Sequence, residues 1–275
     1  MKRYFVFFLG ILFTYSSFAA IVDTVSIYSA AMKKEYKCVV IKPAAAQDEN
    51  QSFPVVYLLH GHSGWYANWL IRVPELKDYA DQNKLMIVCP DGGFNSWYMD
   101  SPLDSTVRFE TYISKEVPAY IEKHYPVIKD RKARAVTGLS MGGHGGLFLA
   151  FRNAEVFGAC GSMSGGVDLR PFPKSWQLSR LLGDTLQHAD NWNNYSAINV
   201  IEKKLSDSLA IIIDCGTEDF FYAVNKALHE KMLQLKIAHD YIERPGKHDW
   251  NYWRNAVKYQ LLYFREYFQK MNLSK

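Results

Sequence analysis

The chain has 275 residues, 48% of them hydrophobic and 15% aromatic, with a formal charge of only +4. That length and apolar content can bury a large core without metal or disulfide support, and they exclude a disordered or fibrous chain. The near balance of 32 basic against 28 acidic residues leaves no electrostatic footprint for nucleic acid.

The first twenty residues read as a secretory signal. Lys2 and Arg3 give a positive start, Tyr4 to Tyr15 an apolar stretch, and Ser17-Phe18-Ala19 a small-residue cleavage site. A permanent anchor needs roughly 20 apolar residues, and this run is shorter. An uncleaved anchor or a buried first strand is the other reading of the stretch. Residues 21–275 are therefore expected as one exported domain, periplasmic or secreted, with a formal charge of +2 once Lys2 and Arg3 are removed. No later segment is apolar enough to span a bilayer.

Next comes an antiparallel hairpin, Thr24 to Ser29 and Tyr36 to Ile41, followed by a polar surface loop from Ala44 to Ser52. Apolar strand-like runs then alternate with helical patterns. The runs are Pro54 to His60, Leu85 to Pro90, Ala133 to Gly138, Gly158 to Met163, Leu209 to Cys215 and His239 to Arg244. This order predicts an α/β fold, a mostly parallel central sheet of about eight strands between two helical layers. Phe109, Tyr112, Ile113, Val117, Tyr120 and Ile121 follow helical spacing, and Pro118 should kink or restart that helix. A second stripe runs from Phe220 to Leu235 and a last one from Trp253 to Phe264. Pro171 to Asn194 is the least regular stretch. The four cysteines, Cys38, Cys89, Cys160 and Cys215, lie in or beside apolar runs and read as small buried hydrophobes. Export permits disulfides, but their spacing favours none of the three possible pairings.

The strongest chemical signal is Gly138-Leu139-Ser140-Met141-Gly142-Gly143, a G-x-S-x-G motif between a strand-like run and a helix start. Such a turn presents a serine hydroxyl beside the free N–H groups of a helix N-terminus. A serine needs an adjacent base, and in a Ser, acid, His order the best-placed histidine is His248, in Pro245-Gly-Lys-His-Asp-Trp250. His188 is its one serious rival; His229 and His239 read as packing or surface residues. Asp219, past Gly216 in the loop after the preceding strand, is favoured as the acid, with Asp214 and Glu218 as alternatives. The N–H of Met141 should supply one oxyanion donor, and the glycine-rich loop His60-Gly-His-Ser-Gly64 the other, through His62. His60 and His62 could grip a metal in principle, but nothing nearby completes a ligand set. Trp65, Trp97, Tyr98, Trp250 and Trp253 adjoin these loops in sequence, and the first four are candidate substrate-binding residues.

These segments, with Cys89-Pro-Asp-Gly-Gly93, Ser96-Trp-Tyr98, Glu116-Val-Pro118 and Cys215-Gly-Thr-Glu-Asp219, resemble the esterase D / feruloyl esterase group of α/β-hydrolases over about Val22 to Phe268. The resemblance implies an α/β-hydrolase fold, the acid at Asp219 and an oxyanion amide at His62, with no metal or organic cofactor. It also implies a serine carboxylic ester hydrolase acting on small acyl esters, such as acetyl or feruloyl groups on plant polysaccharides. An acyltransferase using the same residues and a non-catalytic binding protein on this scaffold are the alternatives. The expected partner is a small-molecule or carbohydrate ester, and the oligomeric state is left open.

Overall fold

Runs rich in Val, Ile and Leu, bounded by Gly, Pro and Asn, favour strands that are buried on both faces. The computed structural model describes residues 19–47, 51–201 and 209–273; the signal-like residues 1–18 lie outside them. Its strands are β1 (Ile21–Ser29), β2 (Lys34–Lys42), β3 (Val55–Leu59), β4 (Met86–Pro90), β5 (Arg134–Gly138), β6 (Ala159–Met163), β7 (Ala210–Gly216) and β8 (Asp240–Arg244). They form one sheet in the order β1-β2-β4-β3-β5-β6-β7-β8. β1 pairs antiparallel with β2 and β2 with β4, and all later pairings are parallel. This is the arrangement expected from the sequence, down to the antiparallel opening.

The helices are α1 (Asn68–Arg72), α2 (Leu76–Asn83), α3 (Phe109–Thr111), α4 (Val117–His124), α5 (Met141–Arg152), α6 (Leu178–Leu182), α7 (Ala189–Asn194), α8 (Ala197–Val200), α9 (Tyr222–Gln234) and α10 (Trp250–Lys270). Side chains of a strand alternate between faces, and β3 divides accordingly. Val55, Tyr57 and Leu59 join a core with Val117, Ile121, Leu147, Phe148, Leu228 and Met232 from α4, α5 and α9. Val56 and Leu58 join the opposite core with Trp69, Leu76, Ala80, Val257 and Phe264 from α1, α2 and α10. The sheet is thus covered on both sides, and its parallel strands β3, β5, β7 and β8 all end at one rim. Loops leaving that rim carry the residues of interest, as expected for an open parallel sheet.

Two local features sharpen the sequence reading. Pro118 restarts its helix, one of the two outcomes expected of it. A widened π turn, Tyr112–Glu116, joins α3 to α4 just ahead of it, and Pro118 takes a place in the first turn of α4. A proline has no N–H to offer there, and none is required of it. The irregular stretch resolves into the short α6 and α7, separated by Gly183 at a φ of 87°.

No described helix is long and apolar enough to cross a membrane. All four cysteines are buried and free, and burial raises the thiol pKa of each. Buried, un-ionised thiols react slowly. A thiol reagent should therefore label almost nothing in the native protein and four groups after denaturation without reductant. Fewer than four in the denatured chain would reveal a disulfide.

Candidate active site

The turn from β5 into α5 is tight because the chain must reverse at the sheet rim while keeping contact with β3. Ser140 sits at its apex with φ 55° and ψ −115°, a backbone conformation that costs a non-glycine residue roughly 1–3 kcal/mol. Its neighbours hold it there. The Ser140 N–H donates to the Met163 carbonyl at 2.9 Å, and the Ser140 carbonyl accepts from His144 N–H at 3.0 Å. Gly142 has no room for a side chain: a Cβ would lie 2.5 Å from the Leu59 carbonyl oxygen and 2.6 Å from that of His60. Gly138 is equally confined, with 2.5 Å to the same Leu59 oxygen.

The loop after β8 brings His248 to this serine. Ser140 Oγ donates to His248 Nε2 at 2.9 Å, and His248 Nδ1–H donates to Asp219, 2.8 Å from Oδ2 and 3.0 Å from Oδ1. The carboxylate facing Nδ1 places the ring proton there and leaves Nε2 as acceptor. Asp219 lies in the turn after β7, where its Oδ1 also accepts the Phe221 N–H at 2.8 Å. Its side chain is fully buried, so the pair is poorly screened.

The other candidates are placed elsewhere. Asp214 is buried at the end of β7, and Arg244 and the Tyr252 hydroxyl donate to its two oxygens. Glu218 is exposed and lies 3.8 Å from Lys247. His229 and His239 hydrogen bond to each other at 2.8 Å, and His188 precedes α7. None of these histidines hydrogen bonds to Ser140.

Two backbone amides belong to segments beside this serine, since a Cβ on Gly61 would lie 3.5 Å from the Ser140 Cβ and Met141 directly follows Ser140. Met141 opens α5 and His62 follows Gly61 in the loop after β3; neither amide has a protein acceptor among the described residues. His60 fixes the loop. Its Nδ1–H donates to the Gly61 carbonyl at 2.8 Å, and its Nε2 accepts the Gly92 N–H at 2.7 Å. Burial lowers the pKa of His60, which suits a neutral ring that donates on one side and accepts on the other.

This framework corrects the placing of two aromatic candidates. Trp97 and Tyr98 are 1% and 0% exposed and both have positive φ, 52° and 57°. The double turn swings their rings inward, beneath the rim, so they have no face left for a substrate. The Tyr98 hydroxyl instead donates to the His60 carbonyl at 2.9 Å, and Trp97 packs edge-on to His144.

Trp65 and Trp250 do line the cleft, a hollow of about 370 Å³ that also contains Ser140, His248, Trp253 and Arg72. Sequence reasoning missed Trp176 and Phe220, which complete the wall. Phe220 packs on the His248 ring, with centroids 4.2 Å apart, and Trp176 stacks on Phe220 at 6.1 Å. Phe220 directly follows Asp219, which was its one available signal; Trp176 lies in the irregular stretch and gave none. No group of three or more metal-binding side chains is assembled among the described residues.

The family model described as "Putative esterase" matches residues 29–264. The chain belongs to this esterase family. It is similar to an acetyl esterase of Caldicellulosiruptor saccharolyticus, 24% identical over 254 residues that cover 85% of this chain and 94% of that one. An esterase of Mycobacterium tuberculosis (strain ATCC 25618 / H37Rv) is 28% identical over 235 residues, 76% of this chain but only 51% of the mycobacterial protein. Among solved structures, a ferulic acid esterase superposes with a TM-score of 0.79 at 29% identity, covering 92% of this chain and all of that one. The protein is thus a carboxylic ester hydrolase of α/β-hydrolase fold.

Two consequences can be measured. Gly142→Ala would drive a methyl group into the Leu59 and His60 carbonyls, so kcat/KM should fall at least about 100-fold, the loss expected where the Met141 N–H serves as an oxyanion donor. An active, normally stable variant would show that the turn has slack. The second concerns Asp214, whose carboxyl burial pushes up to about 6 against the pull of Tyr252 and Arg244. A folded-state pKa above the unfolded value means that this group's stabilisation is full below the unfolded pKa and is lost as pH rises through about 6. The stability gap between the native protein and Asp214→Asn should therefore narrow by about 1 kcal/mol from pH 5 to pH 8, as read by denaturant unfolding. A gap that widens with pH would mean that Arg244 holds the group as a carboxylate.

Proposed function

We propose that the protein is a serine esterase that removes small acyl groups, acetyl or feruloyl, from plant polysaccharides by a two-step acyl-enzyme mechanism. The observation that carries this reading is the continuous hydrogen-bonded line from Ser140 Oγ through His248 to the buried Asp219, ending beside two unengaged amides.

Ser140 Oγ attacks the ester carbonyl carbon while His248 Nε2 takes its proton. The carbonyl oxygen, now an anion, is held by the N–H groups of Met141 and His62. The tetrahedral species collapses as the C–O bond to the alcohol breaks, and His248 passes its proton to the departing oxygen. Water then loses a proton to His248 and attacks the acyl-Ser140 carbonyl, releasing the acid and restoring the hydroxyl. Asp219 keeps Nδ1–H in place and stabilises the imidazolium without taking the proton.

The substrate class rests on two supports. The acetyl esterase and the ferulic acid esterase named above are relatives by sequence and by fold. The cleft is walled by Trp65, Trp176, Phe220, Trp250 and Trp253, flat rings suited to an aryl acyl group or the face of a sugar. Export belongs to the same reading, supported by the pattern of Lys2, Arg3 and the apolar run that ends in Ser17-Phe18-Ala19.

Purified protein should hydrolyse p-nitrophenyl acetate and methyl ferulate and release acetate from acetylated xylan. Ser140→Ala should abolish all three and remove labelling by a fluorophosphonate probe; Asp219→Asn should lower kcat by about 10,000-fold, the cost of a wrongly held tautomer. Activity surviving in Ser140→Ala would refute the mechanism. Turnover of the small esters but of neither ferulate nor xylan would refute the substrate class alone.

A further inference from the structure

The cleft has an electrostatic sign. Arg72, the last residue of α1, is exposed in its wall, with Ser140 and His248 part of the same hollow. Its guanidinium lies 5.9 Å from the centre of the Trp250 ring, close enough for a cation–π contact that restrains a long side chain. No carboxylate among the described residues forms an ion pair with it.

The acids of the surrounding loops are committed elsewhere. Glu75, one turn beyond, pairs with Arg254; Glu218 faces Lys247; Asp249 caps α10 by accepting the Tyr252 N–H. Asp219 is sealed behind His248. The residues lining the cleft include no Asp or Glu at all. What they offer instead are donors, the Arg72 fork and the His62 amide. Asn68, the neutral amide on the same helix, already takes the Trp65 N–H on its oxygen at 2.8 Å. A lining without a carboxylate and with one unpaired cation is complementary to a ligand that brings negative charge.

Building on the serine esterase reading, we propose that the enzyme selects esters that carry a carboxylate, received by Arg72 at the α1 side of the cleft. The carboxylate can belong to the alcohol portion, as on an acidic sugar, or to the acyl portion. Stacking on Trp250 accounts for where the guanidinium rests, but not for a lining devoid of acids.

The test compares three esters on wild type, Arg72→Gln and Arg72→Lys: phenyl acetate, 4-acetoxybenzoate with its carboxylate on the departing phenol, and monophenyl adipate with its carboxylate on the acyl chain. For at least one charged ester, kcat/KM relative to phenyl acetate should fall about tenfold in Arg72→Gln, the scale of one charge-assisted contact. Arg72→Lys should keep part of the preference, and salt should erode it in the wild type because the cation is exposed. Which ester responds identifies the half of the substrate that bears the charge. If neither relative rate changes in Arg72→Gln, the proposal is wrong. Phenyl acetate hydrolysis that survives Ser140→Ala would instead overturn the nucleophile assignment, so the two failures are distinguishable.

Discussion

One unfavourable backbone conformation organises this protein. Ser140 occupies a region of φ and ψ that its Cβ resists, and it stays there because β3, β6 and the start of α5 surround it. Relaxing that bend would move the hydroxyl from the rim and break the alignment with the α5 N-terminus. The strain is small beside the core that enforces it, since Leu59, Met141 and Met163 around the bend are all buried. Packing on both faces of the sheet is therefore what makes a high-energy dihedral persist.

A second layer of polar contacts keeps the arriving loops in register with that bend. On one side, His60 ties the loop after β3 to Gly92 in the loop after β4, and Tyr98 braces the His60 carbonyl from below. On the other, Asp214, Arg244 and Tyr252 join β7, β8 and α10. The turns bearing the acid and the histidine are stitched directly together as well: Thr217 N–H donates to the Arg244 carbonyl and Glu218 N–H to the Gly246 carbonyl, both at 3.0 Å. Residues beyond the line of Ser140, His248 and Asp219 thus hold its loops in place, and the buried His60 and Asp214 side chains have both of their polar atoms hydrogen-bonded, as burial requires.

The sheet was legible in the sequence because each strand is a short apolar run between turn residues, and the boundaries shifted by at most three residues, the largest shift at the start of β1. Ser140 and His248 were legible because local motifs expose them. Asp219 was harder: Asp214, Glu218 and Asp219 share one strand end, and only three-dimensional packing sends Asp214 to Arg244 and leaves Glu218 in solvent. The aromatic residues were the least legible. Adjacency to a catalytic loop does not say which way a ring turns, and consecutive positive φ values at Trp97 and Tyr98 turned both inward. Trp176 and Phe220 reach the cleft from segments whose pattern pointed to irregular chain and to a helix face.

The rings around His248 have a mechanical effect. Phe220, Phe221 and Trp253 approach it with centroids 4.2, 5.4 and 4.8 Å away, while Asp219 holds its far nitrogen. In the proposed cycle the imidazole must serve three oxygens in succession, those of the serine, the leaving alcohol and the incoming water. Hemmed in on its flanks, it cannot swivel to meet them. The shuttle runs on a fixed track, and it is the substrate and the water that must come to its one open stop.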